Sequence, residues 1–194
     1  MISFGLANEQ GYLTNAGALI VDESPTMCSR LFCTRWNGLN KRGGIIDAFD
    51  DAEYSGSVIS LIDNGEAFIK RNAKKMWRKT ANSREEMPEY VERSYHEALV
   101  NAIAHRDYLI YGSEVHIDIF DNRMEIYSPG GMPDGGVVIG TDGTVYANGG
   151  YMLASQPSAG VVALNADGSL KWHYPTTEDA LTSPLIDDRG YIHF

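Results

Sequence analysis

The stretch HEALVNAIAHRDY, residues 96–108, holds the side chains best spaced for chemistry. Glu97, Asn101 and His105 follow one another at intervals of four, so a helix would set them in one line, with Arg93 a turn earlier. A carboxamide in such a line can offer its oxygen to a Mg²⁺ ion held mainly by phosphates and waters. A carboxylate one turn away can accept a proton from a water aimed at a terminal phosphate. The plain alternative is a solvated polar helix edge. His105 reads either as a ligand or, more simply, as a cap at the helix end near Asp107. The glycine-rich PGGMPDGG, residues 129–136, would let a nucleotide approach the backbone and meet its N–H groups.

Other chemistries lack their residues. No GK[ST] follows the glycines, so they are not a Walker loop, and no serine sits in a GxSxG context. No His/Cys/Asp/Glu set has zinc spacing, and His116, His173 and His193 are scattered along strand-like segments. Cys28 and Cys33, in CSRLFC, are not a CxxC pair and read as small hydrophobes in a reducing cytoplasm.

These residues need elements to hold them. VERSYHEALVNAIAH reads as an amphipathic helix whose apolar stripe is Val91, Tyr95, Leu99 and Ala102–Ile103. A long helix is expected from Ser57 to Lys79, with Val58, Leu61, Ile62, Ala67 and Phe68 inward and Met76 and Trp77 prolonging it. TNAGALIV (14–21) reads as a short helix running into a strand. SRLFCTRW (29–36), IIDAFDD (45–51), EVHIDIFD (114–121) and RMEIYS (123–128) read as strands, the last two joined by a turn at Asp121–Asn122. Helices on a sheet form one layer of an α+β fold. After Gly135 the grammar changes: residues 1–135 carry 14 Lys/Arg and 20 Asp/Glu, whereas 136–194 carry 2 and 6. TDGTVY, NADGSLKW and DDRGYIHF are turn-then-strand phrases, and VIGTDGTVY recurs in layout as LIDDRGYIH 47 residues on, close to one propeller blade.

The net charge of −10 argues against a nucleic-acid surface. The basic run KRNAKKMWRK (70–79) reads as a solvated helix face. No apolar run approaches a membrane span, and MISFGLANEQ has no secretory leader pattern, so a cytoplasmic protein is expected.

LTNAGALIV (13–21), SRLFCTRWNG (29–38), EYSGSV (53–58), HEALVNAIAHRDY and FDNRMEIYSPGGMP (120–133) together resemble the bacterial regulators described as ATP-binding or divergent AAA-type, also labelled helicase-related. The resemblance spans residues 5–133. It implies a Bergerat-type (GHKL-like) nucleotide domain, with Glu97 as the candidate base and Asn101 as the Mg²⁺ ligand. Pro129, Gly130 and Gly131 would stand where a glycine box approaches adenine, although SPGG replaces the usual DxGxG. Residues 136–194, through ALNADGSLKW and SPLIDDRGYI, resemble pyrroloquinoline-quinone-type propeller repeats. A single blade has no central channel, so no quinone is expected, and Trp172 reads as blade packing.

The resulting expectation is a chimera: a partial ATP-binding domain over 1–135, lacking its lid, then about one propeller blade over 136–194. Its main functional reading is a structural or interaction module with no preserved catalysis. The alternative is a weak ATP/ADP-binding regulatory domain whose degenerate Mg-nucleotide pocket is lined by Glu97 and Asn101. Exposed sheet edges imply a homo-oligomer formed by strand pairing.

Overall fold

The structure is a computed structural model that describes residues 2–41, 46–112, 114–129, 137–153, 156–176, 184–187 and 191–193. A 3-10 turn (Ile2–Phe4) and a short helix α1 (Asn15–Ile20) open the chain, α1 being capped by the Thr14 hydroxyl, which accepts from the Gly17 N–H. The strand expected directly after α1 does not form. Strands β1 (Arg30–Trp36) and β2 (Ala48–Ser55) follow, paired antiparallel. Alternation in β1 buries Leu31 and Cys33 on one face.

Helix α2 (Val58–Asn72) starts at Ser57, whose hydroxyl accepts from the Ser60 N–H, and buries Leu61, Gly65, Phe68 and Ile69. It stops seven residues short of the expected end at Lys79. Residues Lys75–Lys79 and Arg84–Pro88 instead form a hairpin, β3 and β4, that is exposed along both strands. Met76 and Trp77 fit a helical period, but the chain is drawn off it by buried Glu89. That carboxylate accepts from the Lys74 N–H at 2.7 Å and pairs with the Lys74 ammonium at 3.3 Å. A turn closed by the Thr80 N–H on the Ser83 carbonyl then reverses the chain. The basic run 70–79 is therefore a helix end plus an arm, not one helix face.

Helix α3 (Glu92–Ala104) lays Tyr95, Ala98, Leu99 and Ile103 on the core. Strands β5 (Val115–Ile119) and β6 (Arg123–Tyr127) complete the central pairing, β5 running parallel to β1 and antiparallel to β6. The core lies between α2, α3 and the sheet, with Leu31, Leu61, Phe68, Leu99, Ile117 and Met124 fully enclosed.

The remaining strands correct the expected fold class. β7 (Val137–Gly140), β8 (Val145–Leu153), β9 (Gln156–Leu164) and β10 (Leu170–Pro175) do not build a propeller blade. They continue the same sheet, in the order β10-β9-β8-β7-β6-β5-β1-β2. β7 pairs directly with β6, Met124 opposite Ile139 and Glu125 opposite Val138. The molecule is thus α+β with one large, open, mixed sheet. The propeller-repeat reading and the chimera of two partial modules fall with it, because the downstream strands are hydrogen-bonded into the upstream layer. β11 (Leu185–Ile186) and β12 (Ile192–His193) form a separate small ladder. No helix among the described residues is long and apolar enough to cross a membrane.

Candidate functional site

Helix α3 carries two faces because its apolar and polar residues each recur every three or four positions. Leu99 and Ile103 go to the core, while Arg93, Glu97, Asn101 and His105 line a cleft of about 590 Å³ on the other side. The residues predicted from the spacing are therefore brought to one place. Their side chains are exposed to the cleft, which leaves them free to meet a solute. His105 is also the C-cap residue of α3, its N–H bonding to the Asn101 carbonyl.

The opposite wall comes from the downstream strands: Val137 of β7, Val145 of β8 and Leu164 of β9, with Ile126 of β6 at the floor. Ala98 and Ala102 face them from α3, and their short side chains keep the slot open. Near the start of α3, the turn Asn165–Gly168 closes one end, and the Ser94 hydroxyl approaches the Ala166 carbonyl at 3.4 Å. The neighbouring turn is equally tight, since a Cβ on Gly143 would meet Val91 and Ala166 at 3.2 Å.

The other end is tied by Ser128 and Pro129. Ser128 donates its hydroxyl to the Ala102 carbonyl at 2.6 Å, and the Asp107 N–H reaches the Pro129 carbonyl at 3.4 Å. Ser128 is thus spent as a brace between β6 and α3. Pro129 is buried there, whereas Gly130 and Gly131 lie outside the described residues. Asp107 caps its own loop by accepting from the Leu109 N–H at 2.8 Å.

The electrostatics of the mouth are mixed. Hydrogen bonds from the Ser169 hydroxyl and N–H hold the Asp167 carboxyl below its ordinary range, with a further contribution from the charge of Arg93. Asp142 is likewise lowered: burial pushes it up, but the Thr144 N–H and hydroxyl and the Lys171 ammonium together outweigh that. Among the described residues no three His, Cys, Asp or Glu side chains converge as a metal site. The Glu97 carboxylate and the Asn101 carboxamide both line the cleft.

Spacing along α3 made the polar line visible, but the strands of the opposite wall were missed as part of the site. The signal was the uninterrupted apolar run Val137–Ile139, which suits a strand covered on both faces at the middle of a sheet.

Comparison with known proteins adds two findings. A family model described as "Putative ATP-dependent DNA helicase recG C-terminal" matches residues 112–144. That is a shorter stretch than the resemblance over 5–133, and it runs from the loop before β5 through β7, across the expected join. Among solved structures, the chain is similar to the DIP2311 protein from Corynebacterium diphtheriae at a TM-score of 0.54 and 20% identity. The similarity covers 66% of this chain and 25% of that one, so this chain spans about a quarter of its length, and the likeness concerns the fold. Among curated proteins none matches.

Proposed function

We propose that the α3 cleft binds an adenine nucleotide, ATP or ADP with Mg²⁺, and that the protein is a weak nucleotide-binding regulatory domain. The observation that carries this reading is the convergence of Arg93, Glu97, Asn101 and His105 on one cleft of about 590 Å³. That volume is within the range of small-molecule sites. The ATP-dependent description of the family matched at 112–144 supports the same class of ligand.

In this proposal the base enters the slot between Ala98 and Ala102 on one side and Val137 and Val145 on the other. The phosphates lie along the polar line of α3 over Glu97 and Asn101, and the Arg93 guanidinium at its start favours anions. Asn101 turns its amide oxygen to the Mg²⁺, which neutralises phosphate charge. In the same proposal Glu97 accepts a proton from water. Because Ser128 is committed to Ala102, it cannot donate to the base while that brace holds, and selectivity for adenine is weak. The free cysteines Cys28 and Cys33 and the use of a nucleotide fit a cytoplasmic setting. The second reading, an interaction module without turnover, draws on the fully exposed β3–β4 arm.

Calorimetric titration with ADP and a non-hydrolysable ATP analogue, with and without Mg²⁺, tests the proposal. Saturable micromolar binding that weakens in Asn101→Ala and depends on Mg²⁺ supports it. Absence of heat up to millimolar ligand, from folded protein, removes it.

A further inference from the structure

Among the strand edges left unpaired within the described residues, two stand out by charge. β2 is the rim of the eight-stranded sheet, bonded only to β1, and β3 is bonded only to β4. Their charges are opposite. β2 reads AFDDAEYS, with Asp50, Asp51 and Glu53 and no cation, while β3 reads KMWRK, with Lys75, Arg78 and Lys79 and no acid.

Some of these charges are already used at home. Asp50 is held by Arg71 and Asn72, Glu53 by Arg30, and Arg78 by Glu85. Among the described residues, Asp51, Lys75 and Lys79 take part in no ion pair. Strand alternation sets Phe49, Asp51 and Glu53 on one face of β2, and Lys75, Trp77 and Lys79 on one face of β3. Each of these faces carries one aromatic ring open to solvent, Phe49 at 62% and Trp77 at 58%.

We infer that β3 of one copy adds as a strand to β2 of a second copy, running antiparallel, with Trp77 opposite Phe49 and Lys75 opposite Asp51. Bare main-chain donors and acceptors on both edges supply the adhesion, and the opposed charges choose the partner. Reciprocal exchange of two arms closes a two-fold dimer. The partner is a second copy rather than a nucleic acid because the chain carries a net charge of −10. The arm itself offers only two unpaired cations, too few for a phosphate-tracking surface. The inference is independent of what the α3 cleft binds.

Sedimentation velocity of the full chain across the micromolar range tests it. The wild type is expected to dimerise. Lys75→Glu and Asp51→Lys should each raise the dissociation constant about tenfold, by setting like charges opposite each other at both contacts of the dimer. The variant carrying both changes should return to within about threefold of the wild type, since opposite charges then face each other again. Both positions are exposed, and circular dichroism confirms folding of each variant. A monomer at every concentration overturns the inference, as does a dimer indifferent to both single changes or a double variant that is not rescued. A labelled DNA oligonucleotide run alongside should not bind. Binding that is lost in Lys75→Glu and kept in Asp51→Lys would make nucleic acid the occupant and refute the second copy.

Discussion

Replacing Gly65 with alanine tests how α3 is held in place. Gly65 lies in the middle of α2, where a Cβ would stand 2.7 Å from Leu99 Cδ2, 3.0 Å from Leu31 Cδ2 and 3.2 Å from Ile117 Cδ1. Ordinary carbon contacts are about 3.5–4.0 Å, so α2 must lift or three side chains must shift. Leu99, Leu31 and Ile117 are each 0% exposed, which leaves them little room. Alanine gains about 1 kcal/mol over glycine in a helix interior. Overpacking of this kind costs about 1–3 kcal/mol. The expected net effect of Gly65→Ala is a loss of about 1 kcal/mol, the midpoint of that balance. Valine adds two more methyl groups and gives back most of the helical gain, so Gly65→Val should lose about 3 kcal/mol. Urea unfolding followed by circular dichroism reads this as a lower midpoint at unchanged slope. On heating, Gly65→Ala should lower Tm by about 2–4 °C for a chain of this size. A Gly65→Ala protein more stable than the wild type would refute the close packing of α2 on Leu99, and with it the account of how α3 is seated.

Three other outcomes are expected. Burial, ahead of the opposing charge of Asp118, holds the His116 imidazole below its ordinary value, between Phe32 at 5.4 Å and Tyr127 at 6.4 Å. A folded value below the unfolded one gives stability that is present above about pH 6.5 and is lost as pH falls through the folded value. His116→Phe should therefore flatten the fall of Tm between about pH 7 and 5, measured by thermal melts over that window. Burial pushes the Cys33 thiol up to about 12, so in a Cys28→Ser background Ellman's reagent should react only as the protein unfolds. Rapid reaction with the native protein would contradict this. Leu99→Ala should cost about 3–5 kcal/mol by cavity formation, whereas Asn101→Ala, two residues along the same helix, should stay within about 0.5 kcal/mol in urea unfolding.

Much of the layout was legible because it depends on local periodicity. The apolar residues Tyr95, Leu99 and Ala102–Ile103 recur at a helical period, which put Glu97, Asn101 and His105 on one helix face, and alternation in Arg30–Trp36, Val115–Ile119 and Arg123–Tyr127 marked strands. The turns at Asp142–Gly143 and Asp167–Gly168 were legible for a similar reason, both glycines standing at positive φ, 79° and 84°. Helix α2 was overextended because Met76 and Trp77 suit both periods. The deciding interaction, Lys74 with buried Glu89, links residues 15 apart and has no local pattern. The same limit explains the propeller reading. The phrase TDGTVY marks a turn and the start of a strand, but the choice of β7 as the neighbour of β8, and of β6 as the neighbour of β7, is made by register and burial across the chain. With that choice the cleft acquires its second wall. A site that spacing showed as one helix face is therefore a slot between α3 and β6–β9.

The most direct test of that slot is an amide chemical-shift map of the isotope-labelled protein during titration with Mg-ADP. Saturable shifts are expected on both walls together: residues 93–105 of α3 and its C-cap, and residues 137–147 and 164–168 opposite. Shifts confined to one wall, or centred on the β3–β4 arm with the cleft unmoved, would contradict it.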